Sequence, residues 1–163
     1  MNGPYPKEIM EHFKNPKNIG TIKDADGIGK VGNLVCGDVM MFYIKVDKNK
    51  ISDIKFQTFG CVVAIAVSSM LTEMVKGKTL NYAIKTTSKD ILKKSGKVPT
   101  IKAHCSVLAA DALHEAIYDY MLKQKMKIPA GLEKEHKRIK KNLENTEKKH
   151  KTTKLEEELL NNF

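Results

Sequence analysis

Residues 39–77 read VMMFYIKVDKNKISDIKFQTFGCVVAIAVSSMLTEMVKG, and the hydrophobic period of this stretch changes once along its length. From Val39 to Asp47 residues alternate, with Phe42, Ile44 and Val46 on one face and Tyr43 and Lys45 on the other. Lys48-Asn49-Lys50 is polar turn material. From Ile51 to Phe59 the alternation resumes, Ile54, Phe56 and Thr58 opposing Lys55 and Gln57. The two runs predict an antiparallel hairpin with one buried face. Gly60 breaks the second strand, and Cys61 to Lys76 follows as an almost unbroken apolar segment. That length exceeds a typical strand, and Lys76-Gly77 is a good helix stop. A buried helix starting near Cys61 is the expectation.

On the N-terminal side, Gly20, Gly27, Gly29, Gly32 and Gly37 mark a loop or edge strand whose backbone is brought close to something. Before it, Pro4 and Pro6 open a short helix to about Asn15, with Ile9, Met10 and Phe13 on one face and Asn15-Pro16 as its end. On the C-terminal side, Thr79 to Ile84 and Ser88 to Lys94 predict short helices, the second capped by Ser88. Gly96 and Pro99 mark a loop. Lys102 to Lys125 predicts a long amphipathic helix through Ala109, Leu113, Ala116, Ile117, Tyr120 and Met121. Ile128-Pro129-Ala130-Gly131 closes the compact part. The expected organisation is a domain over 1–131 and a charged extension over 132–163, helical or disordered. Residues 133–163 hold nine Lys+Arg and seven Glu, so the basic excess belongs to the body.

The 163 residues suffice for one domain plus an appendage. Apolar residues make up 41% and charged residues 29%, which argues against wholesale disorder. With no tryptophan and 6% aromatics, the core must be aliphatic, with eight methionines as adaptable filler. The net charge of +10 attracts acidic partners. Yet Arg138 is the one arginine among 29 basic residues, a poor composition for specific nucleic-acid recognition. Three cysteines cannot make a disulfide framework, and reduced thiols in the cytoplasm are the expectation. The N-terminus has no signal-peptide core. The longest charge-free stretch, Phe56 to Thr72, falls short of a membrane span.

The chemistry resides in the cysteines. Cys36 lies in a flexible turn just before a strand, Cys61 at the start of the buried helix and Cys105 at the start of the long one. Helix N-termini favour negative charge, so the thiols of Cys61 and Cys105 are expected to be acidified. Asp38, two residues after Cys36, falls on the same side of an extended segment. The separations of 25 and 44 residues match no local zinc-finger spacing. A single cysteine is as readily a small buried hydrophobe. The flanking glycines and the neighbouring His104 move the balance towards one shared site. His12, His114, His136 and His150 read as surface residues. A Cys105–His104 catalytic dyad is disfavoured, because adjacent helical residues point about 100° apart.

Four runs then form a pattern: 29–40 (GKVGNLVCGDVM), 56–61 (FQTFGC), 64–69 (AIAVSS) and 102–109 (KAHCSVLA). In order and spacing they resemble the iron–sulfur cluster assembly scaffolds, the IscU family that includes the N-terminal domain of NifU. The resemblance spans about residues 4 to 125. It implies an α+β fold, a small antiparallel sheet of about three strands flanked by helices. It also implies assembly of a transient 2Fe–2S cluster from iron and persulfide sulfur, followed by transfer to apo iron–sulfur acceptor proteins. The implied ligands are Cys36, Asp38, Cys61, His104 and Cys105, with Cys105 as sulfur acceptor. The implied partners are a cysteine desulfurase, a ferredoxin-like electron donor and a frataxin-like helper; a homodimer is admissible. The resemblance implies a scaffold rather than an enzyme with turnover. Three thiolates with a harder oxygen or nitrogen donor suit a cluster that must be released. Zinc binding by the same residues is the alternative.

Three positions depart from the family pattern. Val62-Val63 follow the second cysteine where Gly-Ser is usual, stiffening the backbone and drying the site. Leu34-Val35 replace Pro-Ala before the first cysteine. Val98-Pro99-Thr100-Ile101-Lys102 keeps one proline of the Leu-Pro-Pro-Val-Lys segment that an Hsp70-type chaperone reads, which leaves chaperone dependence open.

Overall fold

The structure is a computed structural model and describes residues 3–33 and 37–161. Strands β1 (Gly27–Asn33), β2 (Asp38–Asp47) and β3 (Lys50–Phe59) form one antiparallel sheet in that order. The helices are α1 (Lys7–Lys14), α2 (Val62–Val75), α3 (Leu80–Lys85), α4 (Ser88–Ser95), α5 (His104–Lys123) and α6 (Ala130–Asn161). A single 3-10 turn, Thr100–Lys102, leads into α5. The described residues thus form the α+β arrangement anticipated, with β1 as one edge strand.

The hairpin forms because Lys48 and Asn49 both take positive φ (48° and 63°), the two-residue turn whose twist matches its strands. Met40, Phe42 and Ile44 of β2 and Ile54 and Phe56 of β3 point inward and are fully buried. Each such side chain contributes about 1.5–3 kcal/mol of burial free energy. The period of two carries this inward face back to Asp38, the first residue of β2, which is itself buried. Val46 does not continue the row. A register shift between Lys45 and Val46 leaves it half-buried opposite Ile51.

Helices α2 and α5 pack on the inner face of the sheet. Helix α2 is apolar on all sides and largely buried. Its Ser69 and Thr72 hydroxyls bond the chain around α1. Ser69 Oγ accepts from the Lys17 amide at 2.7 Å and bonds His12 Nδ1 at 2.8 Å; Thr72 Oγ1 accepts from Asn18 Nδ2 at 2.9 Å. The close approach signalled by the glycines is that of β1 to α5. A methyl group on Gly27 would overlap the carbonyl oxygen of Ala116, and one on Gly29 that of Ala112.

Three local expectations are corrected. The cap of α4 is Thr87, not Ser88: Thr87 and Asp90 form a reciprocal capping box, with the Thr87 amide 2.8 Å from Asp90 Oδ2. Helix α5 begins at His104 because the preceding residues form the tighter turn. The histidines are not simply superficial. His114 is buried with Nε2 at 3.1 Å from the Thr86 carbonyl, and burial pushes its pKa down. His136 stacks on Tyr118 with ring centroids 3.8 Å apart. The His150 side chain lies outside the described ones. Helix α6 spans the junction anticipated at Gly131 and adds Leu132 and Ile139 to the core. No helix among the described residues is long and apolar enough to cross a membrane.

Two outcomes follow from this packing. Gly29→Ala should destabilise the fold by about 2 kcal/mol or more through overpacking against α5. Gly32→Ala, whose methyl meets Val39 Cγ2 at an ordinary 3.5 Å, should stay within about 1 kcal/mol of the parent in urea unfolding. The second concerns pH. With the folded pKa of His114 below 6.5, the unfolded chain takes up the proton first. The stability held by the neutral ring is complete above about pH 6.5 and is lost as pH falls towards the folded value. His114→Gln should therefore flatten the dependence of unfolding free energy on pH just below 6.5, by at most about 1.4 kcal/mol per unit. Identical slopes for the two proteins would contradict this.

Candidate metal centre

The inward face of β2 and the N-termini of α2 and α5 meet at one point. Asp38 opens β2 on the core side. Cys61 is the N-cap of α2 in extended conformation, one residue beyond the strand-ending Gly60. His104 and Cys105 are the first two residues of α5. The sulfurs of Cys61 and Cys105 are 3.8 Å apart, too far for a disulfide. That distance equals the edge, about 3.8 Å, of a tetrahedron with metal–sulfur arms of about 2.3 Å. Asp38 Oδ2 lies 3.6 Å from the Cys105 sulfur. One donor atom from each of Asp38, Cys61 and Cys105 falls within 4.8 Å of the other two.

His104 completes the arrangement. Its Nδ1 is 2.8 Å from the Ile101 carbonyl. A carbonyl only accepts, so Nδ1 carries the hydrogen and Nε2 of the neutral ring presents its lone pair. That nitrogen sits 3.5 Å from Asp38 Oδ2 and 3.7 Å from the Cys105 sulfur. The lone pairs of a nitrogen, a carboxylate and two sulfurs thus converge on one small volume. The Cys105 thiol donates its hydrogen to Asp38 Oδ2; a cation in place of that proton would be held by the same donors, and the mixed soft and hard set suits iron or zinc.

Two expectations need correction here. Burial pushes the Cys105 thiol well above the ordinary thiol range, and neighbouring Cys61 and Asp38 add to that rise. Desolvation of a fully buried sulfur outweighs the helix N-terminus. The neighbours His104 and Cys105 do approach each other, because the imidazole spans the angular step between adjacent helical positions. A buried thiol held neutral is nonetheless a poor free nucleophile. Cys36 lies outside the described residues.

A basin of about 610 Å³ opens over the donors, walled by Asp38, Thr58, Phe59, Cys61, Lys102 and His104. Phe59 and Ile101 beside it are 81% and 79% exposed, an apolar rim that the strand and turn patterns did not reveal. Sequence reasoning treated Gly60 as a strand breaker and as a flank of Cys61, without a steric role. A Cβ there would stand 2.8 Å from Ala64 Cβ and 3.0 Å from Asp38 Oδ1. Its missing side chain is the space that the carboxylate occupies.

Residues 4–127 match the family described as the NifU-like N terminal domain. The chain is 55% identical over 141 residues to the iron-sulfur cluster assembly scaffold protein IscU 1 of Archaeoglobus fulgidus, covering 84% of this chain and 92% of that protein. It is 51% identical over 126 residues to the scaffold protein IscU of Aquifex aeolicus, covering 76% of this chain and 80% of that one. Among solved structures, the fold is similar to the N-terminal part of a nitrogen-fixing NifU-like protein from Brucella abortus. The TM-score is 0.58 at 23% identity, over 72% of this chain and 94% of that one.

Gly60→Ala is expected to push the Asp38 carboxylate off its position and weaken binding of cobalt(II) about tenfold, as displaced supporting groups do at metal sites. Titration followed by thiolate-to-cobalt charge-transfer absorption measures this. Parental affinity in the variant would remove Asp38 from the binding set.

Proposed function

We propose that this chain, which belongs to the NifU-like N-terminal domain family, is a scaffold on which an iron–sulfur cluster is assembled and from which it is handed on. The observation that carries the reading is the convergence of Asp38, Cys61 and Cys105 from three elements far apart in sequence. The relatives named as assembly scaffolds support it. Iron and sulfur are the substrates, and the role implies a sulfur donor and acceptor proteins. We assign Cys36, Cys61 and Cys105 as thiolate ligands, Cys36 on its place in the family motif, with Asp38 and His104 as the harder donors.

The finer reading is a 2Fe–2S cluster fed by a cysteine desulfurase, with a ferredoxin-like electron donor and a frataxin-like helper, in the cytoplasm. Cys105 passes its thiol proton to the Asp38 carboxylate, 3.6 Å away, and its sulfur attacks the outer sulfur of the donor's persulfide. A sulfur–sulfur bond forms on Cys105 as the donor's bond breaks and its thiolate leaves. Two electrons from the ferredoxin-like donor cleave the new bond, restoring the thiolate and freeing sulfide for ferrous iron. Because Cys105 is fully buried, the donor reaches it through the basin, past Cys61 and His104. The apolar rim of Phe59 and Ile101 offers that donor a contact surface. Zinc fits the same donors, but no observation favours it as the function.

The test is anaerobic reconstitution with ferrous iron, a desulfurase and cysteine, followed by visible absorption and Mössbauer spectra. The expected result is a 2Fe–2S signature and transfer to apo-ferredoxin; a protein that holds zinc but builds no transferable cluster would end the reading. Cys61→Ser and Cys105→Ser should each cut cluster yield about tenfold or more. Asp38→Ala should lengthen the transfer half-time several-fold, because removing a labile oxygen donor leaves softer, firmer ligation. An unchanged or shorter half-time would contradict that role.

A further inference from the structure

Helix α6 lies beyond the residues matched to the family, yet it is fastened to the helix that carries His104 and Cys105. Leu132 and Ile139 are 1% and 3% exposed. Arg138 Nη2 lies 2.6 Å from Asp111 Oδ1 on α5 and 2.6 Å from Glu135 Oε2 on its own helix. His136 meets Glu115 at 2.8 Å through Nδ1 while its ring stacks on Tyr118. Asp111 is two helical turns beyond His104. The clasp therefore holds α6 against the part of α5 next to the metal centre.

Between these helices and the edge strand runs a groove of about 320 Å³. Its walls include Val31 of β1, His104 and Val107 of α5, and Asn142, Leu143 and Thr146 of α6. His104 is also a wall of the basin above the donor atoms. One imidazole, 38% exposed, thus stands between the converging donors and the space under α6.

We propose that α6 screens the His104 side of the metal centre, so that the wider basin on the Phe59 side is the favoured route for metal, sulfide and finished cluster. The inference rests on the scaffold reading above. It adds that the C-terminal helix, outside the family domain, sets how readily cargo escapes. With α6 in place, the wider way in for a chelator is the basin where a partner protein would sit. With α6 released, the second face of the imidazole opens to solvent and the donors become reachable from the groove.

The test uses the full-length zinc-loaded protein and measures how fast excess EDTA removes zinc. Hydrogen exchange of the α6 amides reports release of the helix. Leu143→Ala, with and without Arg138→Gln, should speed both α6 exchange and zinc removal by about tenfold, while zinc affinity at equilibrium stays near the parent's. Thr146→Leu, which adds apolar surface in the groove, should slow both. If the double variant does not fold, judged by circular dichroism, the two single-site variants carry the comparison. Faster α6 exchange with unchanged zinc removal would overturn the proposal, as would zinc removal that changes without any change in α6 exchange. Because zinc is the probe, failure to assemble a cluster would sink the scaffold reading without deciding this one.

Discussion

The structure depends on placing a carboxylate on the buried face of a sheet. Asp38 occupies the inward register of β2, in line with Met40, Phe42 and Ile44. A charge there is costly unless something opposite compensates it. The fold supplies that something from two directions. Strand register brings Val39 opposite Phe59, so that Gly60 and Cys61 emerge beside the carboxylate. The contact of β1 with α5, possible because Gly27 and Gly29 lack side chains, brings the start of α5 to the same place. Neither approach depends on the donors themselves. The scaffold is assembled by hydrophobic packing, and the converging lone pairs are carried along by it.

Much of this was legible in the chain. The two alternations of residues 39–59 specify the hairpin, and the long apolar run after Gly60 specifies α2 with Cys61 at its mouth. The glycines of residues 27–32 signalled a close approach, although not which helix would approach. What could not be read was decided by tertiary contacts. The register shift at Lys45/Val46 moved Val46 off its row. His114 looks like any polar residue on an amphipathic helix until α3 and the Thr86 carbonyl close over it. Among the described side chains of α6 the apolar stripe is Leu132, Ile139 and Leu143 amid many charges, too sparse to distinguish a docked helix from a solvated tail. Convergence of the donors was expected from resemblance; separations of 25 and 44 residues carry no geometry by themselves.

The consequence for function is that, at the described donors Asp38, Cys61, His104 and Cys105, lability must come from chemistry rather than from floppy ligands. Cys61 and Cys105 sit where helices begin, and Val63, immediately inside α2, is fully buried and pins the first turn. Valines at 62 and 63 thus fix the backbone next to Cys61 instead of loosening it. His104 is oriented by a 2.8 Å bond to the Ile101 carbonyl, and Asp38 by the strand that carries it. A site with such fixed donors would hold a cluster tightly if all were thiolates. Replacing one soft ligand by a carboxylate or an imidazole weakens the grip without disturbing the geometry. A basin on one side then lets an acceptor approach the weaker bonds directly. Rigidity and release are compatible here because they reside in different features, the first in helix and strand ends and the second in the identity of the donor atoms.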